Sequence, residues 1–446
     1  MRHIDEVLSW VQDRFAGESE FHQATSEVFH SLALELERNP IWEKEKVLYR
    51  MATPERDISF RVVWEDDQGN IQINRGYRVQ FSTVLGPYKG GLRFHPTVNQ
   101  SILRFLGFEQ CFKNALTGLN LGGGKGGADF NPQGRSDREI MRFCQAFMAE
   151  LQRHIGANTD VPAGDIGVGG REIGYLHGQY RRIRNRWEGE LTGKGATWGG
   201  SLFRPEATGY GLIYFVEHML SSRGEGLLNK RVLLSGSGNV ATYAAEALVA
   251  RGAKVLTFSD SCGFLLARDG FSSDQIRLVA SGKERGLRLS AIAESLGAGV
   301  AYHAGKTPWG VSADIALPCA TQNEISPDDA KELAKNGCTL VAEGANMPST
   351  QGAISVYRDA GILYGPGKAA NAGGVACSGL EMSQNALFRG WTREVVDAQL
   401  AEIMADIYRQ CAGVAEEFGR PGDLELGANV SGFRRIGEAL LAQGLV

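Results

Sequence analysis

The sequence predicts an α/β protein of two domains. An N-terminal α/β domain covers residues 1–200, a Rossmann-like, doubly wound domain covers 201–425, and a last helix, 426–446, returns to the first domain. Three observations carry this expectation. The segment "RVLLSGSGNVATYAAEALVARGAKVLTFSD" reads as strand, glycine-rich turn, helix and strand. Three later apolar runs, "DIALPCA", "TLVAEGAN" and "ILYGPGKAANAGG", alternate with helical segments, the grammar of a parallel sheet. A length of 446 residues also exceeds one hydrophobic core and suits two.

Taken in order, the chain opens with "MRHIDEVLSWVQDRF". Its Ile4, Val7, Leu8 and Val11 recur at helical spacing between acidic residues, which predicts an amphipathic helix and not a secretion signal. "FRVVW", "NIQINRG" and "YRVQF" alternate apolar and polar residues, predicting strands at 60–64, 70–76 and 77–81 with "DDQG" as the first turn. "SILRFLGFEQCFKNALTGL", 101–119, has helical periodicity, and "LNLGGGKGGADF" then reads as a glycine-rich loop around Lys125. A helix follows from about Ser136 to Ile155, with Ser136 and Glu139 as a capping box. The basic run "YRRIRNR" at 180–186 reads as a solvated helix face. "TGKGATWGGSLFRPEATGYG", 192–211, is glycine-rich and aperiodic and reads as a domain boundary or hinge.

Bulk properties narrow the function. A formal net charge of −4, with no basic cluster apart from 180–186, offers no footprint for nucleic acid. No stretch approaches the roughly 18 uninterrupted apolar residues of a membrane span. The seven cysteines are scattered and form no C-x-x-C pair, which fits free thiols in a reducing cytoplasm. The eight histidines show no metal-ligand spacing, so no metal is expected.

The turn after the "RVLL" strand is Gly236-Ser-Gly238-Asn239-Val240-Ala241, and Asp260 closes the next strand. This is the dinucleotide motif in the context it requires. The first glycine makes the tight turn, the second admits the pyrophosphate, and the small third residue lets helix and strand approach. An acid at Asp260 normally receives a ribose 2′-hydroxyl and favours NAD. Yet Ser259 and Ser261 flank it, and Lys283, Arg285 and Arg288 downstream offer cations for a 2′-phosphate, so these residues alone leave NAD and NADP open. "GVGGRE" and "GYGLIY" fail the same motif, lacking the strand or the third small residue.

Lys125 stands among five glycines. The phosphate-binding loop G-x-x-x-x-G-K-[ST] is excluded, because Leu119 and Gly126 occupy its required positions. A structural turn with an incidental lysine remains one reading. A reactive amine is the other: desolvation can lower a lysine from about 10.4 to about 7–8. Lys89 in "GPYKGG" and Lys113 in "FKNAL" extend the pattern to three lysines, suited to point-charge contacts with more than one carboxylate. Together with the dinucleotide motif this implies hydride transfer involving a small acidic molecule.

The segments "GPYKGGLRFHP", "FLGFEQCFKNALTGLNLGGGKGG", "DVPAGDIGVGGRE", "GGSLFRPEATGYG", "ALPCATQNE", "VAEGANMP" and "GKAANAGGVACSGLEM" resemble the glutamate dehydrogenases. The likeness spans nearly the whole chain and is strongest to the compact hexameric, NADP-dependent type within the Glu/Leu/Phe/Val dehydrogenase superfamily. It implies reversible reductive amination of 2-oxoglutarate by ammonium and NADPH, a cytoplasmic homohexamer, and a substrate and oligomerisation role for the first domain. Lys125 then matches the lysine that activates carbonyl and water, and Asp165 the acid that shuttles protons, a choice over Asp160 that the residues themselves do not make. Lys89 and Ser378 match the holders of the distal carboxylate, Gln110 and Lys113 those near the α-carboxylate, and Gly164 lines the pocket. Thr208, Asn239 and Asn346 match nucleotide contacts. Cys377 stands where a threonine is often seen, and Trp198 where a smaller aromatic is. Rival readings are a branched-chain or aromatic amino acid dehydrogenase of the superfamily, or a non-enzymatic NADP or glutamate sensor on its fold.

Overall fold

The computed structural model describes residues 2–445. Its chain forms two compact units: the first comprises Met1–Arg204, Val375–Val396 and Asn429–Val446, the second Pro205–Gly374 and Asp397–Ala428. The boundary at 204/205 lies close to the expected one. Residues 375–396, expected in the second domain, belong instead to the first unit. The reason is visible in their contacts: Glu381, Gln384 and Asn385 all bond to the 193–201 segment.

The first unit is built on a mixed sheet of β1 (Arg56–Glu65), β2 (Ile71–Ser82), β3 (Tyr88–Phe94), β4 (Gly123–Ala128) and β5 (Asp160–Gly164). The spatial order is β1-β2-β4-β3-β5, with β3, β4 and β5 mutually parallel. Two expected strands, 70–76 and 77–81, are one: β2 passes straight through Gly76, whose missing side chain leaves room for the Phe60 ring. The larger correction concerns Lys125. The glycine run is no loop but the strand β4, buried along its whole length. Its glycines answer a packing demand. A Cβ at Gly123 would lie 2.1 Å from Cys111 Sγ on the Gln100–Leu116 helix, and one at neighbouring Gly90 would lie 1.7 Å from the Gly124 carbonyl oxygen. Real Cβ atoms cannot approach so closely, so helix and strands meet backbone to backbone.

Around this sheet the Asp137–Leu151 helix begins at the expected Ser136–Glu139 capping box. It contributes Phe143 and Phe147 to a buried cluster with Trp64, Phe94 and Phe130, in which Phe130 and Phe143 stack at 3.7 Å. The Arg2–Arg14 helix buries Ile4, Val7, Leu8 and Val11 as their spacing requires. The Leu424–Gln443 helix places Phe433 against Trp42 and Arg434 on the buried Glu35 carboxylate.

The second unit carries β6 (Arg231–Leu234), β7 (Lys254–Val255), β8 (Thr257–Asp260), β9 (Gly263–Ala267), β10 (Val300–Ala304), β11 (Ile315–Leu317), β12 (Leu340–Ala342) and β13 (Leu363–Gly365). A parallel sheet has the order β13-β12-β11-β6-β7, and β8, β9 and β10 form a separate antiparallel sheet. The single strand expected to end at Asp260 is therefore divided between two sheets. No helix of the described residues is long and apolar enough to cross a membrane.

Candidate active site

In the first unit three parallel strands bring the chemistry together. Lys125 projects from β4 and is 5 % exposed, and its Nζ lies 3.1 Å from Asp165 Oδ2. Asp165 follows directly on β5, where Val168 N–H donates to its carbonyl and turns the chain. Arg93, on β3, donates through Nε to the same Oδ2 at 3.0 Å. Burial lowers the pKa of the Lys125 ammonium, while Asp165 pulls the other way. Burial works to raise the Asp165 carboxyl, but Lys125 and Arg93 outweigh it and hold it at about 2.

The structure separates Asp165 from Asp160, which the local sequence does not. Asp160 is fully buried and takes two bonds from Arg78, at 2.9 and 2.5 Å, and one from Gln80 at 2.9 Å. Its oxygens are committed to holding β2 against β5. Only Asp165 faces the lysine.

Lys89 sits on β3 and is 1 % exposed. Its Nζ donates to the Val161 carbonyl and to Thr192 Oγ1, both at 2.9 Å. Burial, followed by the charges of Arg204 and Arg78, pushes its pKa well below the ordinary lysine value. Arg204 in turn donates through Nε to Ser378 Oγ at 3.2 Å. Lys89, Arg204, Ser378 and Thr192 thus form a polar, positively charged nest inside a folded unit. Gln110 and Lys113 lie one turn apart on the Gln100–Leu116 helix. Gln110 bonds to Asn114, and Asn114 bonds to the carbonyl oxygens of Lys89 and Gly122, tying this helix to β3 and to the start of β4. Gly164 pairs with Leu92 and presents its carbonyl beside Gly91.

In the second unit Gly236 adopts φ +77°, where only glycine is relaxed, and a Cβ there would meet the Cys319 carbonyl at 2.9 Å. Gly238 precedes the Asn239–Ala250 helix, whose first turn has no side-chain cap. A Cβ on Gly238 would meet nothing within 4 Å. Open space above uncapped N–H groups fits a pyrophosphate. Asn239 is exposed and Val240 half-buried at this mouth. Thr208 stands in the first turn of the Ala207–Ser221 helix, which Gly209 brings against Val240 and Ala244. Asn346 follows β12 and accepts from Asn371 at 3.2 Å. Its loop is bracketed by Glu343, whose carboxylate receives the Ser349 and Gly367 N–H groups and whose pKa burial raises to about 7.

Around Asp260 the geometry is specific. Oδ1 accepts the Cys262 N–H at 2.9 Å and Oδ2 the Leu289 N–H at 3.0 Å, so both oxygens carry backbone bonds. Arg288 reaches Ser261 Oγ at 3.0 Å. Lys283 and Arg285 instead bond to carbonyl groups of their own segment, those of Leu287 and Ser281. Of the three cations proposed for a 2′-phosphate, the structure brings Arg288 to the strand end and leaves the other two on the adjoining helix terminus.

A family model described as Glutamate/Leucine/Phenylalanine/Valine dehydrogenase matches residues 199–444, and its dimerisation domain matches 54–182. The chain belongs to this family. The dehydrogenase is 54 % identical to the NADP-specific glutamate dehydrogenase of Giardia intestinalis over 447 residues, 99 % of each chain. It is 53 % identical, over 99 % of each chain, to the NAD(P)-specific glutamate dehydrogenase of Xylanibacter ruminicola. Its structure superposes on the crystal structure of Plasmodium falciparum glutamate dehydrogenase with a TM-score of 0.98 at 50 % identity, covering 100 % of this chain and 95 % of that one.

Three residues of this candidate site escape the sequence reading: Arg93, Thr192 and Arg204. Arg93 does occur in a quoted segment, four residues beyond Lys89 on a strand, and period two places both on one face. That spacing was the available signal. Arg204 shares "GGSLFRPEATGYG" with Thr208, but only folding reveals that it bonds to Ser378, far along the chain. Among the described residues no group of His, Cys, Asp and Glu could hold a metal.

Proposed function

We propose that this dehydrogenase catalyses the reversible reductive amination of 2-oxoglutarate by ammonium with NADPH, giving L-glutamate. One observation carries the choice within the family: buried Lys89 and Ser378, with half-buried Arg204 bonded to Ser378, in the unit that holds Lys125 and Asp165. A buried ammonium without a carboxylate partner is costly, and a substrate with an apolar side chain would leave it unanswered. A distal carboxylate answers it. Gln110 and Lys113 take the α-carboxylate, and Gly164 allows the substrate to approach backbone.

The proton chemistry follows from the Lys125–Asp165 contact. Lys125 polarises the 2-oxo oxygen and, once ammonia has added, assists loss of that oxygen as water. Asp165 takes protons from the attacking nitrogen. NADPH, when bound, supplies the hydride. Gly236, Gly238, Asn239 and Val240 would hold its pyrophosphate, and Thr208 and Asn346 would contact the nucleotide. Backbone N–H groups on both Asp260 oxygens fix the carboxylate at the strand end and leave a lone pair on each oxygen for the ribose. Ser261 and Arg288 then receive the 2′-phosphate, which favours NADP over NAD. Homohexameric assembly in the cytoplasm completes the reading. Self-association is supported by Val63, Ile71 and Ile73, which are 48 %, 73 % and 67 % exposed on neighbouring strands at the sheet edge.

The decisive assay follows reduced-nicotinamide absorbance with 2-oxoglutarate and ammonium, in parallel with NADPH and NADH. Rapid, ammonium-dependent loss with NADPH is expected. Loss with NADH alone would overturn the cofactor assignment, and loss with neither would overturn the activity. Lys125→Ala is expected to lower kcat by about 10²–10⁴-fold with NADPH affinity retained, as read by fluorescence titration.

A further inference from the structure

We propose that Arg93 is a positioning residue of the catalytic centre: its guanidinium fixes the Asp165 carboxylate beside Lys125 and keeps it in the proton-accepting form. The inference rests on the reading of Asp165 as the proton-transfer acid. Strand β3 carries Lys89, Gly91 and Arg93 on one face. Gly91, between them, has no side chain, and its place is taken by Asp165. A Cβ there would lie 2.7 Å from the Gly164 carbonyl oxygen and 2.8 Å from Asp165 Cβ, so Asp165 packs onto β3 where a side chain is missing. Arg93 and Lys125 both approach Oδ2, at 3.0 and 3.1 Å. Oδ1 accepts no hydrogen bond among the described residues and is the oxygen left for the substrate nitrogen.

The two cations differ in kind. Arginine does not deprotonate in proteins, whereas a buried lysine can. When Lys125 is neutral, Arg93 alone holds the carboxylate ionised and in place. Other charges near Asp165 are already matched: Arg78 on β2 pairs with Asp160, and Arg171 on the Gly170–Arg184 helix pairs with Glu172 at 2.6 Å and with Asp137 at 2.7 Å. In the forward step an N–H bond of the incoming ammonium breaks and an O–H bond forms at Asp165 Oδ1. The proton later leaves with the departing water, and Arg93 stays charged throughout.

The test is the pH profile of kcat/KM for ammonium in wild type, Arg93→Gln and Arg93→Lys. Loss of the neighbouring charge in Arg93→Gln should carry the acid limb upward by about one to three pH units. Arg93→Lys, which keeps the charge, should stay near wild type. Superposable acid limbs in wild type and Arg93→Gln would overturn the proposal. If Arg93→Gln turns over too slowly for a profile, pH-dependent infrared difference spectra read the Asp165 carboxyl without turnover: an upward shift supports the role, and an unchanged carboxyl band overturns it. A wild-type enzyme without ammonium-dependent NADPH oxidation would instead sink the functional reading on which the role depends.

Discussion

Lys89 is held by two neutral oxygen acceptors, the Val161 carbonyl and the Thr192 hydroxyl, and by no carboxylate. Burial lowers its pKa, so the free protein favours the neutral amine over a wider alkaline range than an exposed lysine does. A substrate carboxylate reverses that preference. The sign is therefore proton uptake on binding, present where the pH exceeds the free-site pKa and absent well below it. Titration of 2-oxoglutarate across a rising pH series, in buffers of different ionisation heat, should show net uptake that grows with pH in the wild type and is missing in Lys89→Met. At this scale the sequence was informative about types and silent about partners. Lysines among glycines announced a site, and the strand–turn–helix motif announced the nucleotide mouth. That Asp260 is occupied by Cys262 and Leu289, or that Asp160 belongs to Arg78, depends on contacts the local sequence does not specify.

Between residues and molecule stand two elements whose sequence looks unlike their structure. Glycine is disfavoured in strands, so β4 reads as a loop, yet a Cβ at Gly123 would strike Cys111 of the Gln100–Leu116 helix, and Cβ atoms at Gly124, Gly126 and Gly127 would crowd β2 and β3. The 192–211 segment reads, for the same compositional reason, as a domain boundary or hinge; the two units do divide inside it, at 204/205, but its first residues are not free. Glu381 accepts the N–H of Gly193 at 3.0 Å and that of Lys194 at 3.3 Å, and pairs with the Lys194 ammonium at 3.0 Å, both side chains wholly buried. Glu381 lies one turn from Ser378 on the Gly373–Ala386 helix, so this ion pair fastens the Thr192 segment beside Ser378. Glu381→Gln is expected to destabilise by about 3–5 kcal/mol in urea unfolding, because Lys194 loses its buried carboxylate partner. Lys194→Met with Glu381→Leu should recover most of that stability, since removing both charges removes the desolvation cost.

Across the whole molecule, the β1–β2 pair presents Val63 opposite Ile73 on an exposed face at the sheet edge, with Ile71 close by. Strands this long, apolar and uncovered invite pairing with another copy. Ile71→Lys with Ile73→Lys should lower the sedimenting mass while leaving the circular dichroism of the protein unchanged. A mass equal to wild type would assign assembly to another surface. The strand alternation was legible in the sequence, as was the two-domain plan, but not that Ile71 and Ile73 would lie on the exposed face. The membership of residues 375–396 was not, because it depends on where three polar side chains find partners.

The first unit is closed by residues from the far end of the chain. Glu35 is sealed by Arg434, and Trp42 is covered by Phe433. During synthesis, therefore, the earliest helices must wait on the ribosome with a carboxylate and an indole uncovered until almost the entire polypeptide has emerged. The second unit, made almost entirely in the interval, has time to fold first, although it is encoded later.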